Sequence, residues 1–369
     1  MIKFLDLSIT NEFERERLQD VLRQHMDSGR FIIKDEETEF EKRFKDIHGR
    51  KHAVAVKTGT DALILSLMLL DIPKDNYIIT ASFSWLATSS AIKLAGHNPY
   101  FVDTDDMLNM DLDQVEEVLA NSELKVGAVL VPHLHGNAVD LMRLARLRDE
   151  YNIHIIEDCA QSFSAADNKK RVTGTTGCIS CFSFNPMKVL PALGDGGLIL
   201  FDNPKLLERA YRLRHSGMTG QNNICPELSR NFRMDMLQAA VLDIRLDFHN
   251  EKVKERRKLV RMYMEELPEL IRVVIEKLEQ SNHYVLQTIL PGNRKQLINY
   301  LQKNDVESKI RHNFLIPDLK PFMVDKKMNL NNSRKLVEKT LCLPLHNRMD
   351  INDVKRVCSL VSNFYGTVS

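Results

Sequence analysis

Net charge is what this sequence has least of. Its 51 lysines and arginines against 50 aspartates and glutamates leave a formal +1, too little for a broad hold on nucleic acid or an anionic membrane. The one basic run, Lys252 to Lys258, is interrupted by Glu255 and preceded by Glu251, and reads as a solvated helix face. Long apolar runs are missing too: Ala62 to Leu70 falls far short of the roughly eighteen residues of a membrane span. The opening residues turn polar and acidic almost at once, so no secretory signal is expected. The six cysteines are scattered, which suits reduced thiols in cytoplasm better than a disulfide framework. Cys178 and Cys181 stand three apart in a strand-like run, where such positions face opposite ways. Buried structural thiols are expected there, without metal or redox work. HExxH is absent and no third ligand accompanies His133 and His135, so no metal centre is expected.

What is present is a long alternation of strands and helices. A length of 369 residues holds one large α/β domain and a smaller one. Phe13 to His25 and Glu36 to Ile47 read as helices, with a loop at Ser28-Gly29 between them. HAVAV, YIIT, PYFVD, VGAVLVP and IHIIED then read as strands, separated by helical stretches that include DALILSLMLL and Asp140 to Tyr151. Strands spaced by helices of this length imply parallel pairing through right-handed crossovers. CISCFSF and GGLILF are strand-like, joined through MKVLPALGD and a glycine turn at Gly194, Gly196 and Gly197. Asp235 to Leu267 is helical and highly charged on one side, and bridges into the smaller domain. The expected division is 1–247 and 248–369. The second part carries strand-like IRVVI and HYVLQTIL, a helix from Arg294 to Lys303 started at Asn293 or Gly292, and a last amphipathic helix capped by Asp350.

Three features carry chemistry. Lys57-Thr-Gly-Thr-Asp-Ala62 follows a strand and opens a helix, so a phosphate placed there meets unpaired helix-start N–H groups, with Thr60 adding a hydroxyl. It is neither GxxxxGK[ST] nor GxGxxG, and an ordinary glycine turn with a threonine cap fits equally. Asp158 ends a strand, where ligands collect in open parallel sheets. It can act as a base, bind a metal or pair with a protonated heterocycle; a plain loop carboxylate is the bland alternative. Lys188 lies between Pro186 and Pro191, unlike a helix-surface lysine. A lysine amine attacks an aldehyde only when burial or neighbouring charge strips its proton, and on spacing alone a structural or exposed lysine is the better fit. Taken together, a phosphate turn, a strand-end carboxylate and a lysine are the minimum for handling pyridoxal phosphate. Trp85, the one tryptophan, has a flat face suited to stacking on a pyridine ring, although a solitary tryptophan also serves as core.

TGTDAL, SFSWLAT, VPHLHGNAVDL, IIEDCAQSF, FSFNPMKVLPALGDGG and SRNFRMDMLQAA, in this order and spacing, resemble the DegT/DnrJ/EryC1/StrS family of sugar aminotransferases. The likeness runs from FLDL at Phe4 to CLPLHNRMDINDVKRV. It implies fold type I of the pyridoxal-phosphate enzymes, like aspartate aminotransferase: a large, mainly parallel-sheet domain with a smaller C-terminal α/β domain. On these positions the resemblance makes Lys188 the imine lysine and Asp158 the partner of the pyridine nitrogen. It also makes Trp85 the stacking aromatic and puts Gln161 near the phenolic oxygen. Thr60, Asp61 and Ser183 match the phosphate cradle, and Asn231 a phosphate-side residue lent by a neighbouring subunit, which implies a homodimer with shared sites. The implied reaction moves an amino group, from glutamate as donor, to a keto group on a nucleotide-linked sugar. Asp195 replaces the usual glutamate, His135 a frequent tyrosine and Asn185 a frequent histidine, and these departures leave the sugar open. Retention of Lys188, where dehydrating members carry histidine, favours transamination. For the donor carboxylate, Arg233, Arg230 and Arg214 are candidates, with a structural ion-pair role open for at least one of them, and His312 and Asn313 can approach substrate from the smaller domain.

Overall fold

The computed structural model describes residues 1–32, 38–121, 123–219, 224–323 and 328–368. Two helices precede the first strand. In α1 (Glu12–Ser28) the Asn11 side chain caps Glu14 N–H and Gly29, at φ 64°, ends the helix. A reciprocal Thr38–Glu41 capping box opens α2 (Glu39–His48); the expected start at Glu36 lies outside the described residues. Then come β1 (His52–Val56), α3 (Gly59–Leu69), β2 (Tyr77–Ala81), α4 (Leu86–Leu94), β3 (Asn98–Val102), α5 (Leu112–Ala120), β4 (Val126–Pro132), α6 (Leu141–Glu150), β5 (His154–Asp158), β6 (Ile179–Ser183) and β7 (Gly197–Phe201). After them lie α7 (Leu207–Arg214), α8 (Met236–Glu266), β8 (Arg272–Val273), β9 (Leu286–Ile289), α9 (Arg294–Lys303), α10 (Asn331–Val337), β10 (Thr340–Leu343) and α11 (Ile351–Val368).

The large sheet has the order β1-β7-β6-β5-β4-β2-β3. Its pairs are parallel from β6 through β3, while β7 runs against both β6 and β1. Helix α3 is apolar all round because it packs on β6 and β7 with one side and against α4 and α7 with others. One core cluster fills that face, and a second, built on Phe40, Phe44, Phe182 and Phe184, fills the other under α2 and α8.

The 31-residue α8 joins two cores. Its Ala239, Leu242 and Leu246 belong to the large-sheet core, whereas Leu259, Val260 and Tyr263 belong to a separate cluster with α9 and α11. Position 247 lies inside this unbroken helix. The second sheet, β10-β9-β8, is antiparallel throughout.

Several local readings need correction. Of IRVVI only Arg272 and Val273 pair as strand, and of HYVLQTIL only Leu286–Ile289, because the ladder extends no further than its partner strands. Asn293 stands at the start of α9, but in the left-handed region at φ 57° and without a side-chain cap. Asp350 does cap α11, accepting from Asn352 and Asp353 N–H. Cys178 donates to Ile155 carbonyl oxygen, just before β6, and Cys181 sits against Ser66; all six cysteines are free thiols. No helix among the described residues is long and apolar enough to cross a membrane.

Candidate active site

Strands β1, β2, β4, β5 and β6 all end along one edge of the large sheet, and β7 begins there. The register fixes the alignment: Asp158 stands opposite Pro132 on one side and Cys181 on the other, while Val56 and Ser183 both face Gly197. A cavity of about 540 Å³ opens at this edge. The segments after β1, β2, β5 and β6 give it Thr58 to Thr60, Trp85 and Thr88, Gln161, and Lys188; Phe4 and the C-terminal part close it with Tyr284, Lys309 and Arg311.

At the β1–α3 turn, Thr58 caps the helix, accepting Asp61 N–H at 3.0 Å and donating to Asp61 Oδ2 at 2.9 Å. The turn is pressed so hard on its neighbours that a Cβ on Gly59 would lie 2.6 Å from Ser183 Cβ, and one on Gly197 would lie 2.2 Å from Thr58 O. Backbone N–H groups of the first turn of α3, with the Thr60 and Ser183 hydroxyls, therefore border the same space. No side-chain hydrogen bond engages either hydroxyl among the described residues. The Asp61 carboxylate is turned to Thr58, and burial raises its pKa.

Asp158 is the last residue of β5 and is buried. Burial raises its pKa; the hydrogen bonds from Thr88 Oγ1 at 2.8 Å and Ala160 N–H at 3.1 Å, with Lys188 nearby, act against that. Lys188 lies in the connection from β6 to β7, closed by Phe184 N–H to Gly196 O and Ala192 N–H to Phe184 O. Its Nζ is 4.8 Å from the centre of the Tyr284 ring. Burial alone would raise the Tyr284 pKa, but Lys188 and Arg311 outweigh it and the net shift is downward. Gln161 Oε1 accepts His135 N–H at 3.0 Å, which holds the amide at the cavity wall. Trp85 is 52% exposed with the cavity before it, tilted 59° to the buried His312. The one tryptophan is thus not a core residue.

Thr60, Trp85, Asp158, Gln161, Ser183 and Lys188 are therefore brought together. Asn231 is not. It is exposed, bonded to Arg233, on the segment whose Phe232 carbonyl accepts Lys57 N–H beyond the β1 edge. Among the arginine candidates, Arg214 is fully buried in an ion pair with Glu41 at 3.2 Å and serves the core. Neither Arg230 nor Arg233 lines the cavity, and neither do His312 and Asn313. The sequence reading missed Thr88, Tyr284, Lys309 and Arg311. Thr88 stands three residues after Trp85 on the first turn of α4, and Lys309 and Arg311 stand just before His312 and Asn313.

His133, Glu157 and Cys159 do converge, with ligand atoms within 4.8 Å of one another. Glu157, however, already accepts from Gly174, Thr176 and Gly177 N–H, from Ser180 Oγ and shares 3.1 Å with His133 Nε2. Burial opposes its charge, but these bonds hold its pKa at about 2. Glu157, paired with His133, anchors the segment entering β6.

Residues 12–362 match the model of the DegT/DnrJ/EryC1/StrS aminotransferase family. A Pseudomonas aeruginosa UDP-2-acetamido-2-deoxy-3-oxo-D-glucuronate aminotransferase is 28% identical over 98% of this chain and 100% of its own length. A "pleiotropic regulatory protein" of Geobacillus stearothermophilus is also 28% identical, over 99% and 98%. The crystal structure of a DegT DnrJ EryC1 StrS aminotransferase from Brucella abortus superposes with a TM-score of 0.92 at 27% identity, covering 99% of this chain and all of that one. The architecture is that of fold type I, a large mixed α/β domain with a smaller C-terminal one, and the chain belongs to the DegT/DnrJ/EryC1/StrS aminotransferase family.

Proposed function

We propose that this protein is a pyridoxal-phosphate-dependent aminotransferase that moves an amino group, from glutamate as donor, to a keto group of a nucleotide-linked sugar. The observation that carries the reading is the convergence of Lys188, Asp158 and the Thr58–Thr60 turn on one cavity. The donor set suits the cofactor. Thr60, Ser183 and the first-turn N–H groups of α3 would take the phosphate. Asp158 would hold the ring-nitrogen proton, Trp85 the ring face, Gln161 the phenolic-oxygen side, and Lys188 the aldehyde. Asp61 would act by accepting the Thr58 hydroxyl and so holding the turn. When bound, the group supplies an electron sink for the charge left at a carbon that loses its proton. Lys188 Nζ is the base that removes that proton from the donor and the acid that returns one to the carbon being aminated; one positioned amine serves both directions.

Asn231, exposed and off its own cavity, would complete the site of a second subunit in a homodimer. The division of the chain at 247/248 goes with this reading, since α8 passes from one core to the other around that point. Free thiols throughout suit a cytoplasmic setting. The Pseudomonas relative's name supports a sugar-nucleotide acceptor, while the Geobacillus relative's name favours a second reading, a cofactor-binding regulator without turnover.

Borohydride reduction of the cofactor-loaded protein, followed by peptide mass analysis, is expected to find the cofactor on Lys188; attachment to another lysine would overturn the site. Glutamate is then expected to convert the loaded protein to its pyridoxamine-phosphate form, and a panel of keto-sugar nucleotides, free cyclitol ketones and sugar phosphates to convert it back. Loss of substrate hydroxyl without that exchange would mark a dehydratase. Normal cofactor binding with neither half-reaction would favour the regulator.

A further inference from the structure

Arg311 reaches the cavity from the connection between α9 and α10. Its Nη2 donates to Tyr284 Oη at 2.7 Å, and its Cζ lies 5.3 Å from the centre of that ring. Among the described residues it makes no ion pair. A guanidinium carries five N–H donors in a rigid fork, so one bond to a phenol leaves most of them unused. Lys309 lines the same cavity two residues earlier, exposed and likewise without an acid partner among the described residues. The acids on the cavity wall are already engaged: Asp158 by Thr88 and Ala160, Asp195 by Asn185. The imidazoles beside Arg311 add no charge at neutral pH, since burial takes His312 down to about 3 and His135 well below its ordinary value. What remains, among the described residues, is a pair of cations without a counter-ion on the wall of a ligand cavity, and carboxylates and phosphates are the groups whose shape and charge match an arginine fork.

Position narrows the ligand further. Tyr284 offers its ring to Lys188 Nζ and its hydroxyl to Arg311, so the reactive amine and the free guanidinium share one aromatic side chain. In an α-amino acid the carboxylate is attached to the same carbon as the amine. A ligand handled at Lys188 would therefore bring its carboxylate into the neighbourhood of Tyr284.

We propose that Arg311, braced by Tyr284 and aided by Lys309, is the receptor for a substrate carboxylate. This rests on the aminotransferase reading of the same cavity. Two substrates can supply the group: the amino-acid donor, or an acceptor sugar that itself carries an acid.

The test uses the cofactor-loaded protein and two probes that do not react, succinate and its neutral diamide, in titration calorimetry. Arg311→Gln is expected to weaken succinate binding by roughly 10- to 100-fold, the worth of a charge-assisted bond, and to leave the diamide unaffected. Arg311→Lys is expected to keep part of the affinity, having the charge without the fork, and Lys309→Gln to weaken succinate by a smaller factor. The half-reactions then assign the source. A shift in half-saturating glutamate, with a neutral keto sugar unaffected, assigns the donor; a shift confined to a keto-uronate acceptor assigns the sugar. Wild-type succinate affinity in Arg311→Gln, or equal loss of succinate and diamide, would overturn the receptor. Should Arg311→Gln fail to fold, wild-type succinate affinity in both Arg311→Lys and Lys309→Gln overturns it instead. Calorimetry stands apart from turnover, so an inactive wild type that still binds succinate through Arg311 refutes the aminotransferase reading and not the receptor.

Discussion

Thr88 Oγ1 donates a 2.8 Å hydrogen bond to Asp158 Oδ2, so the first turn of α4 stabilises a carboxylate whose charge burial opposes. Ser84 Oγ stands 3.0 Å behind Thr88 Oγ1, which fixes the direction of that hydroxyl. The pair ties the end of β5 to the loop carrying Trp85, and a ring held between Asp158 and Trp85 would feel any change in either.

Thr88→Val keeps the shape and removes the donor. Asp158 then loses a bond to its charged form, and its pKa is expected to rise further. Cofactor affinity, followed by absorbance titration at neutral pH, should fall by roughly tenfold or more, since leaving a buried acceptor unpaired costs about 1–3 kcal/mol. Unchanged affinity would mean that the carboxylate does not need this support.

The cofactor-free protein should show the cost of keeping Asp158 charged. Its folded pKa is raised by burial, so its contribution to stability is full below the unfolded value near 3.8 and is lost as pH rises through the folded one. Asp158→Asn is therefore expected to unfold at a higher temperature than wild type at pH 7.5, by a shift worth about 1 kcal/mol. The gap should close as the pH approaches 4. In the same variant cofactor binding should drop sharply, and a loss of stability at pH 7.5 would contradict the assignment of strain to this residue.

Glu157 has the opposite sign. Its pKa is depressed to about 2 from 4.5, so its stabilisation is complete above 4.5 and disappears as pH falls through about 2. Glu157→Gln is expected to cost about 3 kcal/mol at neutral pH, the scale for breaking a buried charged network, and to flatten the acid limb of a urea-midpoint profile between pH 4.5 and 2. A variant with the wild-type acid limb would show that other carboxylates govern it.

The turn glycine gives a steric prediction. Gly59→Ala sets a methyl 2.6 Å from Ser183 Cβ, and backbone on both sides prevents easy relief. A loss of about 1–3 kcal/mol of stability is expected, with weakened cofactor binding because the α3 N-terminus and Ser183 move apart. Thermal melts with and without cofactor separate the two effects.

The legible parts of this molecule were those whose chemistry is local. A strand, a Thr-Gly-Thr turn and an apolar helix signal one another within a dozen residues, and the cap that Thr58 makes is the interaction the residue type implies. Asp158 could be placed for the same reason, at a strand end, whereas the role of Lys188 came from the resemblance and not from its place between prolines. Tyr284 and Arg311 could not be placed, because their importance arises from contacts across the fold, Tyr284 with Lys188 about a hundred residues away and Arg311 with Tyr284. The β-branched run IRVVI promised more strand than forms, since pairing depends on a partner and β8 meets β9 only at Arg272 and Val273. The short β10 went unread because four residues ahead of Pro344 give too little alternation to recognise. Arg214 is the structural ion-pair arginine among the three candidates, and its partner Glu41 lies too far off in sequence to have singled it out.

Trp85 supplies the last prediction, and its solitude makes the measurement clean. As the one tryptophan, it is the source of all indole fluorescence, and it lines the cavity while half exposed. Adding pyridoxal phosphate to the cofactor-free protein should quench that emission and shift it to the blue as the ring displaces water from the indole face. Lys188→Ala should retain a weaker, reversible quench, because the phosphate turn and Asp158 remain. Trp85→Phe should keep a flat face and lose only a few-fold in affinity, whereas Trp85→Ala should lose on the order of tenfold, the difference corresponding to about 1 kcal/mol of aromatic stacking. If cofactor loads fully on Lys188 while the emission of Trp85 stays as it was, the indole does not contact the ring, and the stacking role belongs to another residue.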